Sequence, residues 1–158
     1  MILHQIIDFK ETPHYENLRD FIMLSKQHRD DMLKKIRPKG PELYYFFKEY
    51  CIVNYKGPRR MGHTTNSLML AAKHFDKTLI VCLNNNMARN ISQVMMGLEH
   101  INPSVMDINI GTRANIHNFN VSVYDFIIID VFSVSSKREN LMKFLTENCN
   151  INTMVLCL

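Results

Sequence analysis

The sequence predicts an α/β fold, a parallel sheet with helices on both faces, preceded by two N-terminal helices. Three observations carry that expectation. Short, nearly continuous apolar runs recur from residue 50 onward, segments of helical length and spacing separate them, and the residues before 50 follow a purely helical rhythm. Apolar runs without alternation suit strands buried on both faces, which is the condition of a parallel sheet covered by helices.

Residues 15 to 36, "YENLRDFIMLSKQHRDDMLKKI", place Leu18, Phe21, Ile22, Leu24, Met32, Leu33 and Ile36 at mostly three- and four-residue intervals, the mark of an amphipathic helix. Pro38, Gly40 and Pro41 end it. Pro41 then suits the first turn of a second, aromatic helix, "PELYYFFKEY", because proline there forfeits no internal hydrogen bond. The strands follow as "CIVNY" (51 to 55), "TLIVCL" (78 to 83), "FIIID" (126 to 130) and "TMVLCL" (153 to 158), with a weaker one in "SVMDINIG" (104 to 111). Between them "TTNSLMLAAKHF", "NMARNISQVMMGLEH" and "SSKRENLMKFLTEN" read as helices. The expected organisation is a helical extension over 1 to 49, packed on a core over 50 to 158.

The composition is that of an ordinary globular chain: 158 residues, 46% hydrophobic and 22% charged, enough for one domain with a real core. Cys51, Cys82, Cys149 and Cys157 have no C-x-x-C spacing, which argues against a zinc site or a disulfide framework and for a reducing setting. The first residues, "MILHQIIDFKE", do not resemble a signal peptide, and no apolar run approaches the roughly 20 residues of a membrane span. The expected location is intracellular, the host cytoplasm if the protein is viral, with no membrane partner. A net charge of +4 permits nucleic-acid contact without requiring it. Plentiful isoleucine, lysine and asparagine with no tryptophan is a usage associated with AT-rich genomes, many viral ones among them.

The segment with chemistry is "NYKGPRRMGHTTNSLMLAAKHF", residues 54 to 75. Gly57 and Gly62 have the spacing, and Thr64 the place, of the phosphate-binding loop G-x-x-x-x-G-K-[ST], but His63 stands where lysine would be. Strand, glycine-bracketed loop and helix is the context that gives such a match meaning: backbone N–H groups curl inward and the helix adds its positive dipole end. That cradle is made of backbone, so it survives the loss of lysine. The side chains set what it can do: imidazole is shorter than lysine and mostly neutral near neutral pH, and Arg59 and Arg60 could supply the missing charge. "FIIID" ends in Asp130, which a parallel sheet would bring to the same edge as Thr64, in position to hold magnesium through water. Val131 follows, where many ATPases have the glutamate that activates water.

On these residues the chain resembles the first lobe of a P-loop NTPase of the RecA-like kind, as in helicases and the large terminase subunits of phages. "GPRRMGHTT" resembles the first nucleotide motif, "TLIVCLNNNMARN" the following strand and helix, and "FIIID" the Walker B strand. The resemblance covers roughly residues 50 to 158. It implies phosphate contact by Gly57, Gly62 and His63, and magnesium held by Thr64 directly and by Asp130 through water. Arg59, Arg60 and Thr65 complete the expected phosphate-binding set. The cofactor expected with such a site is magnesium with ATP or GTP. His63, Val131 and the absence of a following lobe or arginine finger are departures that imply weak or no hydrolysis, a helicase-like or terminase-like pseudoenzyme of viral or phage-like character.

Other patterns are quieter. Seven histidines form no H-E-x-x-H, and no serine lies in G-x-S-x-G. Asn84, Asn85 and Asn86 could contact a base or phosphate, but a turn and helix cap is the preferred reading. Lys56, Arg89, Arg113, Lys137 and Arg138 could form a nucleic-acid-binding rim on the site edge, against the plainer reading of dispersed solvated charge. Eleven methionines, Met95 and Met96 among them, suit core filling. The preferred function is nucleotide binding near DNA or RNA. The alternatives are a non-catalytic interaction protein that meets a protein partner through its N-terminal helices, and a binder of nucleic-acid backbone.

Overall fold

The computed structural model describes residues 11–55, 63–130 and 135–158. The first helix among the described residues, α1, runs over Pro13–Ile36, starting slightly earlier than the periodicity alone suggests. Thr12 is the reason: its hydroxyl accepts the Tyr15 N–H at 3.4 Å, and Pro13 then occupies the first turn. The helix ends at Arg37, whose φ of 49° puts a non-glycine residue in the left-handed region while its N–H bonds Leu33 O. That conformation costs on the order of 1 kcal/mol for a residue with a Cβ. A short helix α2 over Glu42–Phe46 continues into a π-helical turn over Phe47–Cys51. Strand β1 (Ile52–Asn54) follows directly.

The remaining elements are helix α3 (His63–His74), β2 (Thr78–Cys82), α4 (Asn85–Leu98), β3 (Asn109–Thr112), β4 (Phe126–Asp130), α5 (Ser135–Asn148) and β5 (Met154–Cys157). The weak strand is real but shorter than its sequence segment, because Pro103–Asp107 forms a 3-10 turn before β3 begins. The described residues form five strands, all parallel, in the order β1-β5-β4-β2-β3. Burial follows position: β2 and β5 are buried throughout and β4 up to its last residue, whereas the edge strands β1 and β3 are partly open.

Period-two alternation divides the core. On one face Ile80, Cys82, Phe126, Ile128, Met154 and Leu156 pack with residues of α1, α3 and α4, such as Leu18, Leu70 and Leu98. On the other, Leu79, Val81, Ile127, Ile129 and Val155 pack with Phe47, Leu141 and Leu145. Connections moving toward β3 run over the first face and those moving back run over the second, as a single crossover hand requires. The β3–β4 connection belongs to the returning set and is made of 3-10 turns anchored by Ile116 and Val121. Tyr15, Leu18 and Ile22 are fully buried against α3, so α1 roofs the sheet.

The methionines divide: Met69, Met95 and Met154 fill the core, while Met96 is 61% exposed. Among the described residues no helix is long and apolar enough to cross a membrane. At the amino ends of the strands Asp125 accepts the N–H groups of Asp76 and Lys77, both at 2.9 Å, which ties the start of β2 to the start of β4.

Because Ile128 sits wholly buried in the central strand, Ile128→Ala should cost about 3 kcal/mol of stability, read as a lowered urea midpoint with an unchanged slope.

Candidate nucleotide site

Strand registers fix the level of the site. Asn54 pairs with Cys157, Ile129 with Cys157, and Cys82 with both Asp130 and Thr112. The carboxyl ends of β1, β5, β4, β2 and β3 therefore make one edge, with Asp130 a step beyond the β5 pairing. Beyond β1, Tyr55 donates its N–H to Cys157 O at 2.9 Å, extending the ladder by one residue. Its ring meets Phe21 of α1 at 5.3 Å and His63 at 5.4 Å, the latter nearly edge-on at 82°. Tyr55 was not singled out in the sequence, although an aromatic ending a strand just before a glycine-bracketed loop is a usable signal.

Helix α3 begins at His63, so His63, Thr64 and Thr65 form its first turn, all half-buried. The amino end of α3, with the positive end of its dipole, lies at the carboxyl edge beside Asp130. Ser67 donates its hydroxyl to His63 O at 2.6 Å, tightening the turn from within. The Thr64 hydroxyl donates to Asp130 Oδ2 at 2.8 Å, across a sequence separation of 66 residues. Thr64 and Asp130, expected to meet at the sheet edge, do meet.

Burial raises the Asp130 carboxyl above its ordinary pKa, and the Thr64 hydrogen bond and the nearby His63 work against that rise. Next to it, burial pushes the Cys82 thiol up to about 12, with the Asp130 charge adding to the shift, so Cys82 is a packing residue and not a nucleophile. Among the described residues no group of three His, Cys, Asp or Glu side chains is arranged to hold a metal ion.

The neighbouring connections are well defined. Asn84 accepts the Met87 N–H at 3.0 Å and caps α4, so that asparagine serves the helix, while Asn85 and Asn86 are exposed in the first turn. Arg113 bonds Cys82 O through its backbone N–H, and its Nε is enclosed without a hydrogen-bond partner. Arg89 is exposed on α4. Both arginines thus arise from carboxyl-edge connections. Lys56, Gly57, Arg59, Arg60, Gly62 and Val131 lie outside the described residues, as do the side chains of Lys137 and Arg138 at the start of α5.

The raised Asp130 pKa has a definite sign. A carboxyl that holds its proton more tightly folded than unfolded makes stability fall as pH rises from the unfolded value through the folded one, and the loss persists above it. Asp130→Asn keeps an acceptor for Thr64 and removes the charge. It should therefore raise the urea midpoint of ligand-free protein at pH 7.5, with the gain shrinking as pH falls through the raised folded value and gone below the ordinary value of 3.8; an unchanged or lowered midpoint at pH 7.5 would contradict the electrostatic account.

No family model matches the chain, and neither a curated protein nor a solved structure was found to be similar to it.

Proposed function

We propose that the chain is a P-loop nucleotide-binding protein that takes ATP or GTP with magnesium at the carboxyl edge of its sheet, with weak or no hydrolysis. The single observation that carries the reading is the Thr64 hydroxyl 2.8 Å from Asp130. Hydroxyl and carboxylate converge at the first turn of a helix that follows a glycine-bracketed segment, where a magnesium–phosphate unit is held in such proteins. Its parallel sheet, helices on both faces, is compatible with a RecA-like lobe.

Each residue has a part in this reading. Backbone N–H groups of the 57–62 loop and of the α3 first turn bind phosphate oxygens, with Gly57 and Gly62 allowing the close approach and Arg59 and Arg60 adding charge. Thr64 through its oxygen and Asp130 through water would hold magnesium, and the ion would supply positive charge to the phosphates. Magnesium keeps several waters and is satisfied by few protein ligands, which suits a site with one hydroxyl and one carboxylate. His63, steadied by Tyr55, faces the phosphates where lysine would place a full charge. Val131 offers no proton acceptor at the position of the water-activating glutamate, which is why hydrolysis is expected to be weak. The exposed Arg89 and the basic start of α5 suit work beside DNA or RNA, and the sequence usage suits a viral or phage-like source.

Titration calorimetry tests the reading. Mg·ATP or Mg·GTP should give binding heat that is lost on omitting magnesium and in Thr64→Val. Folded protein giving no heat at millimolar nucleotide would sink it. His63→Lys should tighten nucleotide binding by about tenfold or more, the worth of one charge-assisted hydrogen bond of about 1.5 kcal/mol, and an unchanged affinity would show that position 63 does not face phosphate.

A further inference from the structure

At the opposite end of the strands lies a second feature unconnected with Thr64 and Asp130. Helix α2 and the π-helical turn lead into the amino end of β1, and α5 ends just before the amino end of β5. Between them Leu43, Tyr44, Phe47, Cys149, Asn150 and Ile151 line an open pocket of about 550 Å³. Tyr44 forms part of its wall and is 37% exposed; Tyr45 beside it is 68% exposed, their rings 5.3 Å apart and nearly perpendicular. Tyr44 at the wall and the more exposed Tyr45 in contact with it form an exposed aromatic pair next to the slot.

The segment that leads through α2 to the slot carries an excess of positive charge. Lys34, Lys35, Arg37, Lys39 and Lys48 are all exposed, and over residues 34 to 50 only Glu42 and Glu49 oppose them, a local balance of +3 in a chain whose net charge is +4. Glu147 is the charged residue in the pocket wall itself. Arg37 ends α1 in a left-handed conformation that glycine would adopt more freely, at an exposed position.

We propose that this amino-end corner binds single-stranded nucleic acid, with bases stacked on Tyr45 and Tyr44 and admitted to the slot, and with phosphates along Lys39, Arg37 and Lys48. The excess of cations over residues 34 to 50 suits a polyanion, and the exposed tyrosines suit one whose bases are unpaired, since a duplex keeps its bases stacked on one another. The slot is of the size class of small-molecule pockets and has Asn150 to meet a base edge. This inference does not depend on the nucleotide reading.

Fluorescence anisotropy with labelled oligo(dT), oligo(U) and a duplex of equal length, without nucleotide or magnesium, tests it. Both single strands should bind more tightly than the duplex, and Tyr45→Ala and Tyr44→Ala should each weaken single-strand binding about tenfold with little change for duplex. Arg37→Gly, which relaxes the left-handed backbone and so keeps the fold, should lower the slope of log K against log salt by about 0.7. Asp130→Asn should leave oligonucleotide affinity unchanged. Absence of oligonucleotide binding by folded protein, indifference to the tyrosine replacements, or loss of binding in Asp130→Asn would each overturn the proposal. Binding to phosphatidylserine vesicles in place of oligonucleotides, with the same tyrosine dependence, would overturn it in favour of a lipid surface.

Discussion

The pairing of β5 with both β1 and β4 is the constraint on which the rest of the molecule depends. Met154–Cys157 is the last element in the chain, yet it supplies hydrogen bonds to a strand near residue 52 on one side and to Phe126–Asp130 on the other. Until it is in place, β1 has no neighbour in the sheet, and Thr64 and Asp130 have no common reference. With it in place, the spacing of two inter-strand steps separates the strand before the loop from the strand that carries the carboxylate, and the first turn of α3 reaches over the end of β5 to close that gap. Such pairings are far apart in sequence, so their closure entropy has to be met before any of their hydrogen bonds contribute.

Much of this was legible in the residues. "FIIID", "TLIVCL" and "TMVLCL" announce buried strands because they are apolar without alternation, and the helices between them follow from length and spacing. Both N-terminal helices were visible for the same reason. What escaped was whatever depends on order and direction in space. No local pattern tells that β5 sits between β1 and β4, or that Arg37 would end α1 in place of a glycine, since a left-handed arginine is fixed by the Leu33 carbonyl and the turn after it. The start of β3 was misplaced because Pro103 and the residues after it favour a tight turn over an extended chain, a preference masked by the apolar Val105 and Ile108, which are buried for other reasons.

The candidate site was legible in part. Spacing picks out Thr64, and an aspartate closing an apolar strand picks out Asp130; their meeting needs the sheet order, which was available only as an expectation about parallel strands. Tyr55 was missed because its significance lies in rings from two other elements. Asp130 also illustrates the usual tension at such places: a carboxylate at the end of an otherwise apolar strand is held against its own desolvation, and the Thr64 hydroxyl offsets only part of that cost.

The contact of Phe21 with Tyr55, and of Tyr55 with His63, has a mechanical side. Phe21 rides on α1, one turn from the buried Leu18 and beside Ile22, and packs half-buried against the same core. The roof over the sheet and the first turn of α3 are thus joined through three rings in succession.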